Sequence, residues 1–500
     1  MPRRHLHLQA AAEAPLRAAF DTLRASLDVP AAFPDDVTAE AQRAAAEAQR
    51  AATEAPRAAA EAPRTATEAP APSYDATGIA LFTIDPPTST DLDQAMYLER
   101  RAGGGYRVYY AIADVAAFVA PGGALDAEAH RRVTTLYFPD GKTPLHPTVL
   151  SEGAASLLPG ATRPALLWQI DLDADGATTA ADVRRALVRS RAKLDYEGVQ
   201  KQIDAGTAPE SLALLRDIGT LREQQEVARG GISLNVPEQE IVETGHGYGL
   251  TYRAPLPADG WNAQISLLTG IAGAQLMLTY GTGILRTLPS APDGAVARLR
   301  RSAKALGIDW PHHVPYAAVV RSLDPREPNH AAFLQECTSL LRGAGYTVFT
   351  GGTAPELAVH AAVAAPYTHC TAPLRRLVDR YAGELCLAAV AGQDPPEWVT
   401  AALDALPKEM AQGTSRANTV ERESVDIVEA ALLKDRVGEV FDATVVDVRE
   451  QQPTVGTVHL TDPAVVARVE GGGDLPLGER LRVRLTQADP GTAKVLFAPA

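Results

Sequence analysis

Between Thr83 and Ala95 the chain reads Thr-Ile-Asp-Pro-Pro-Thr-Ser-Thr-Asp-Leu-Asp-Gln-Ala, which places Asp85, Asp91 and Asp93 within nine residues. The segment follows the short apolar run Ile79–Ile84, and its Pro and Thr content predicts a loop that folds back on itself. Carboxylates converging there without His or Cys suit a hard divalent cation, Mg²⁺ or alternatively Mn²⁺, rather than zinc. Such an ion acts as a Lewis acid and lowers the pKa of its bound water. Calcium is the competing reading of an Asp-x-Asp pair, although the EF-hand spacing with its Gly and closing Glu is absent. Taken alone, the trio also reads as an ordinary solvated turn.

Strand-like runs follow the loop, RVYYAIADVAAFV (107–119) and PALLWQIDL (164–172). Helical patterns alternate with them over about 125–134, 192–205, 208–228, 262–282, 293–306, 330–345, 373–391 and 415–435. The last block, 437–500, changes character to five short strands separated by Gly, Asp and Pro turns, which predicts a closed barrel of the OB type. Ahead of the loop, Leu16, Phe20, Leu23 and Leu27 fall on one face of a helix over about 4–28. From Ala39 a seven-residue Ala/Glu/Gln/Arg repeat predicts a second helix over 36–55. Pro56, Pro63 and Pro70 recur at one heptad position, and each would cost a helix interior about 3 kcal/mol. The expected organisation is therefore a helical, helix-turn-helix-like region at 1–55, an Ala/Pro-rich linker at 56–76, a mixed α/β unit at 77–435 and a barrel at 436–500.

The 500 residues carry 47 Lys+Arg against 61 Asp+Glu, a formal charge of −14, with 46% hydrophobic and 5% aromatic residues. This excludes wholesale disorder, and no apolar stretch approaches the roughly 18 residues of a membrane span. The start lacks the apolar core of a secretion signal, and Cys337, Cys370 and Cys386 form no Cys-x-x-Cys pair. A cytoplasmic, reducing setting without membrane is expected. Net acidity argues against a nucleic-acid partner only on average, since basic residues group locally. Arg184, Arg185, Arg189, Arg191 and Lys193 form one group, and Arg298, Arg300, Arg301 and Lys304 another. Arg480, Arg482 and Arg484 alternate along a barrel strand and should face one side.

Further motifs occur in order after the aspartate loop: Ala111-Ile112-Ala113-Asp114-Val115, Thr134-Thr135-Leu136-Tyr137-Phe138-Pro139-Asp140, Ser156-Leu157-Leu158-Pro159 and Lys193-Leu194-Asp195-Tyr196. Tyr367-Thr368-His369-Cys370-Thr371-Ala372-Pro373-Leu374-Arg375-Arg376 and Thr419-Val420-Glu421-Arg422 complete the series. Over about 79–435 this order resembles the catalytic domain of the RNase II/RNB exoribonucleases, and the terminal barrel resembles their S1 domain. The resemblance implies a multidomain α+β protein: a small α-helical N-terminal region, a large mixed α/β RNB domain and a five-stranded OB-fold (S1) barrel. It implies a monomer that hydrolyses single-stranded RNA processively from 3′ ends to nucleoside 5′-monophosphates, with Mg²⁺ required. By the same resemblance, Asp85, Asp91 and Asp93 hold metal, with Asp91, Asp93 and Arg375 catalytic. Tyr137 would fix the terminal nucleotide, Glu421 would contact its ribose, and Tyr196, Arg375 and Arg376 would line the RNA path.

Three departures stand out. Gln94 replaces a fourth aspartate, so a metal ligand there offers only a neutral oxygen. Cys370 and Ala372 replace a Phe and a Ser, and Ala263–Gly270 lacks an acidic pair. Cold-shock domains are absent from 1–75, where helices stand instead; Arg3, Arg4, Arg17, Arg24, Arg43 and Arg50 are candidate RNA contacts there. The alternative function is an RNA-binding or regulatory protein of this fold with weak or no turnover because of Gln94.

Overall fold

The computed structural model describes residues 14–53, 72, 74–236, 238–244, 247–341, 343–449, 451–460 and 462–500. Arg3, Arg4 and nearly all of the expected linker lie outside the described residues. A seven-stranded mixed sheet forms the centre. It is built from β1 (Tyr74–Asp75), β2 (Phe82–Ile84), β3 (Gln94–Arg100), β4 (Tyr106–Ala113), β7 (Thr162–Leu172), β8 (Thr178–Arg189) and β9 (Ala192–Leu194). The order is β1-β8-β7-β4-β3-β2-β9, with β5 (Leu136–Phe138) and β6 (Gly141–Thr143) forming a separate hairpin. Period-2 alternation lets both sheet faces be covered. Tyr110, Ile112, Trp168 and Ile170 enter one core with helices α5 (Glu210–Arg229) and α6 (Pro257–Tyr280) and the Leu377–Ala391 helix. Ala111, Ala113, Ala165 and Leu167 enter another on the opposite face.

That opposite face explains the N-terminal helices. Val37 and Ala41 of α2 (Asp35–Thr53) are buried there, while Leu16, Phe20 and Leu23 of α1 (Ala14–Ser26) join a core with the barrel and the long Leu406–Leu433 helix. The two helices expected as one region thus sit in two different cores. Glu40 fixes α2 by accepting from the backbone N–H groups of Ala124 (2.7 Å) and Leu125 (3.3 Å), the first turn of α3 (Ala124–Arg132). A carboxylate on these donors acts as a cap supplied from another helix. Glu40→Ala should cost about 1 kcal/mol, lowering the melting temperature by roughly 2–4 °C in calorimetry.

The C-terminal strands Val440–Arg449, Gln452–Leu460, Val465–Glu470, Arg480–Asp489 and Lys494–Pro499 close a barrel in the order first-second-third-fifth-fourth. Arg480, Arg482 and Arg484 are exposed on one side of the fourth strand, as their alternation predicts. The other two basic groups are partly engaged within the fold. Arg185 is buried between Asp114 and Glu384, Arg184 pairs with Asp182, and Arg191 donates to the Thr77 carbonyl. Arg298 pairs with Glu336 and Asp447, and Arg300 lies over Trp310. Alternation along β8 sends Arg184 and Arg185 to opposite faces, Arg184 to Asp182 of its own strand and Arg185 to carboxylates of distant segments. Arg24 likewise pairs with Asp140 and stacks over Phe138, 4.3 Å from the ring centroid, so it is a joint between α1 and the β5–β6 hairpin.

The helix expected at 192–205 begins later. Residues 192–194 pair with β2 as β9, and Asp195 then caps α4 (Tyr196–Asp204) through the Gly198 N–H at 2.7 Å. Sheet pairing wins at this edge, and the cap sets where the helix starts. Among the described residues no helix is long and apolar enough to cross a membrane.

Candidate active site

The β2–β3 loop is closed at both ends. Asp85 donates its backbone N–H to the Leu194 carbonyl at 3.0 Å, and Lys193 Nζ donates to the carbonyls of Pro87 and Ser89, each at 2.6 Å. Farther along, Leu92 N–H donates to Ser156 Oγ at 2.9 Å, and that hydroxyl donates to the Thr90 carbonyl at 2.7 Å. Lys193 and Ser156 therefore set the loop's shape. Both lie in motifs visible in the sequence, but nothing in their spacing reveals what they hold.

Asp93 is 5% exposed. Its Oδ1 accepts from Leu374 N–H at 2.8 Å, and Oδ2 accepts from Arg375 Nε at 3.2 Å. Arg375 Nη1 and Nη2 make no hydrogen bond among the described residues, which leaves half of a planar fork for an anion. The Arg375 carbonyl is fixed by Thr134 Oγ1 (2.8 Å) and Thr135 N–H (3.1 Å). Those threonines follow Val133, a buried β-branched residue at φ 67°, ψ −40°. A residue held there costs of order 1–3 kcal/mol and persists only where its surroundings impose it. Here Gly413 packs so closely that a Cβ would come within 2.5 Å of Val133 Cγ1.

Asp91 accepts from Lys142 Nζ at 2.8 Å, and the Tyr137 hydroxyl lies at 3.5 Å, a long contact. Both partners stand on the β5–β6 hairpin. Gln94 donates from Nε2 to the Thr371 carbonyl, so only its Oε1 remains as an oxygen donor. Tyr196 opens α4, and its hydroxyl accepts from Asn262 Nδ2 at 3.0 Å. The charges of Asp85, Asp91, Asp93 and Arg375 act on one another, and Tyr196 feels Asp85. Arg376 stands apart, with both arms of its fork on Asp379 at 2.8 Å, while Asp379 also accepts from Ala372 N–H. That pair shapes the turn carrying Arg375. Glu421 is partly buried on the long helix, beside Val420 of the α1–barrel core. His369 binds the Tyr346 hydroxyl at 2.7 Å, and burial holds it well below the ordinary histidine range. The α6 stretch lacking an acidic pair serves packing, since a Cβ on Gly270 would meet Tyr367 at 2.2 Å.

Burial pushes Asp93 up to about 7, against the opposing pull of Arg375 and the Leu374 N–H. Asp85 is pushed up to about 6 by burial, with Arg375 and Lys193 opposing. The donor set fits a hard divalent cation: three carboxylates, two of them raised because burial outweighs their compensation. Among the described residues no group of three or more His, Cys, Asp or Glu stands close enough to hold an ion as placed. Because a ligand carboxylate must be deprotonated, Mn²⁺ affinity should fall with pH, roughly tenfold between pH 7 and 6 and more steeply below. Titration of Mn²⁺ against the full chain at several pH values checks this; a flat profile contradicts it.

A carboxylate loop facing a half-engaged arginine, on a mixed sheet followed by an OB barrel, defines an α+β protein of the RNB type with an S1-type barrel. The chain belongs to the RNB family: the RNB domain matches residues 74–391, and the RNase II-type exonuclease C-terminal S1 domain matches 439–500. Ribonuclease R of Escherichia coli (strain K12) is 28% identical over 398 residues, covering 74% of this chain and 48% of the relative. The chain thus spans about half the length of that curated relative. The fold is similar to that of Mycoplasma genitalium RNase R in complex with ribose methylated single-stranded RNA, with a TM-score of 0.80 at 19% identity, covering 98% of this chain and 78% of that one. It is also similar to yeast Ssd1, a pseudonuclease, with a TM-score of 0.64 at 16% identity, covering 84% and 52%.

Proposed function

We propose that the chain is a 3′→5′ exoribonuclease that hydrolyses single-stranded RNA processively to nucleoside 5′-monophosphates. The observation that carries this is the pair of buried Asp93 with partly exposed Arg375, whose Nη groups are unused, beside Asp85 and Asp91. Those three aspartates would hold Mg²⁺, or Mn²⁺ in its place, with the Oε1 of Gln94 as the remaining neutral donor. Once bound, that ion supplies an activated water and neutralises phosphate charge. Arg375 offers its free Nη groups to a phosphate oxygen as charge develops, and Asp93 keeps the guanidinium aimed. Tyr137 fixes the terminal nucleotide and Glu421 accepts from its 2′-OH, the contact that tells RNA from DNA. Tyr196 stacks along the path, a contact worth about 1–3 kcal/mol per base. Arg376 contributes by holding the Arg375 turn. The exposed Arg480, Arg482 and Arg484 row offers phosphate contacts on the barrel. We propose a monomer acting on RNA 3′ ends in the cytoplasm; Cys337, Cys370 and Cys386 are buried free thiols, as suits a reducing setting.

Labelled oligo(A) incubated with Mg²⁺ or Mn²⁺ should yield mononucleotides, and oligo(dA) should be cut poorly. A hairpin with a 3′ overhang reports polarity and duplex handling in the same assay. Stable binding without product in either metal would favour the second reading, an RNA-binding protein without turnover. The Gln94 amide, tied to Thr371 where a carboxylate could not donate, is what favours that alternative.

A further inference from the structure

Lys142 has no part in the proposed chemistry, yet it reaches directly into the aspartate loop. Its Nζ lies 2.8 Å from Asp91 Oδ1 and 3.1 Å from Glu152 Oε1. The second Glu152 oxygen accepts from Thr90 Oγ1 at 2.8 Å, so the same network ties the loop to the hairpin and to residues 150–154. The Lys142, Asp91 and Glu152 side chains are 23%, 12% and 26% exposed, a setting in which water screens the ammonium only partly. Asp85, by contrast, has no ion pair among the described residues, and Asp93 shares only one Nε of Arg375. Across the loop, Gln94 spends its amide on Thr371. Of the four oxygen-bearing side chains at 85, 91, 93 and 94, one therefore carries no charge, Asp93 meets Arg375 through Nε alone, and Asp91 is already paired with an ammonium from within the chain.

We infer that Lys142 is the resident cation of Asp91, so that the loop takes one divalent ion rather than a pair. A second ion at Asp91 would have to sit against an ammonium at hydrogen-bond distance from the same oxygen, a like-charge contact in a poorly screened site. Lys142 is thus a positioning residue that fixes Asp91 and sets the ion count. This rests on the reading of the loop as a divalent-cation site.

The test is a count of bound ions on the full-length chain, by titrating Mn²⁺ and following free Mn²⁺ by electron paramagnetic resonance. Wild type should hold one ion. Lys142→Met and Lys142→Gln, which remove the charge, should hold two over the same concentration range, and Lys142→Arg should remain at one. Lys142→Gln keeps a hydrogen-bond donor to Asp91, so the count stays readable if Lys142→Met fails to fold. Two ions on wild type, or one or none on the neutral variants, would overturn the role given to Lys142. No ion on wild type would instead sink the cation-site reading itself, and the two failures are thereby distinguished.

Discussion

Asp93→Asn is expected to lower mononucleotide release from labelled oligo(A) by about 10²–10³-fold, the loss typical of removing one preorganised electrostatic group. RNA affinity should stay within about threefold, because the proposed phosphate contacts of Arg480, Arg482 and Arg484 on the barrel are untouched. The asparagine oxygen can still accept the Leu374 N–H, so the turn before Arg375 survives. Its amide nitrogen, however, meets the Nε–H of Arg375 donor to donor, and the ion pair is lost. Since burial already pushes the Asp93 carboxyl up to about 7, a neutral isostere relieves a desolvated charge. Melting of the metal-free variant at neutral pH should therefore not fall. Activity within tenfold of wild type would remove Asp93 from the machinery.

The second large effect belongs to Arg375. Arg375→Ala should cost about 10²–10³-fold in turnover, and it should also displace the acid limb of the pH profile. The sign follows from the pair. Arg375 favours the charged form of Asp93, so without it the carboxyl takes up its proton at higher pH. Residual activity should then rise toward an alkaline midpoint above that of wild type. Arg375→Lys keeps a charge near Asp93 but loses the fork, and should show low turnover with a nearly unshifted limb. Parallel pH–rate curves of the three proteins test both parts; identical midpoints for wild type and Arg375→Ala would break the link to Asp93.

Much of the architecture was legible because it is periodic. All five barrel strands and the helix face of Leu16, Phe20 and Leu23 appear where alternation and the 3.6-residue period put them. The aspartate loop itself was legible, because a run of carboxylates with Pro and Thr between two strands stands out from its surroundings. What could not be read is who meets whom across long separations. Lys142 and Glu152 reveal nothing of Asp91 in their spacing, and Arg185 looks like any surface arginine until Asp114 and Glu384 close on it. Periodicity reports the face a residue shares, whereas the neutralising partner is chosen by the tertiary fold. The late start of α4 is the local version of the same limit, since pairing of 192–194 with β2 outranks a helical pattern.

The placement of α1 also bears on how the chain is made. Phe20 shares a core with Val420, 400 residues later, and with barrel residues such as Phe441 and Phe497. At roughly 5–20 residues per second of synthesis, this amphipathic helix would wait on the order of half a minute before its seat exists. For that time its apolar stripe is open to other chains, and the Tyr137 hairpin lacks its Arg24 anchor. Nascent chains stalled before about residue 430 should be sticky and bound by holdase chaperones. The β5–β6 hairpin, which Arg24 anchors through Asp140, would then settle only after the barrel strands have emerged.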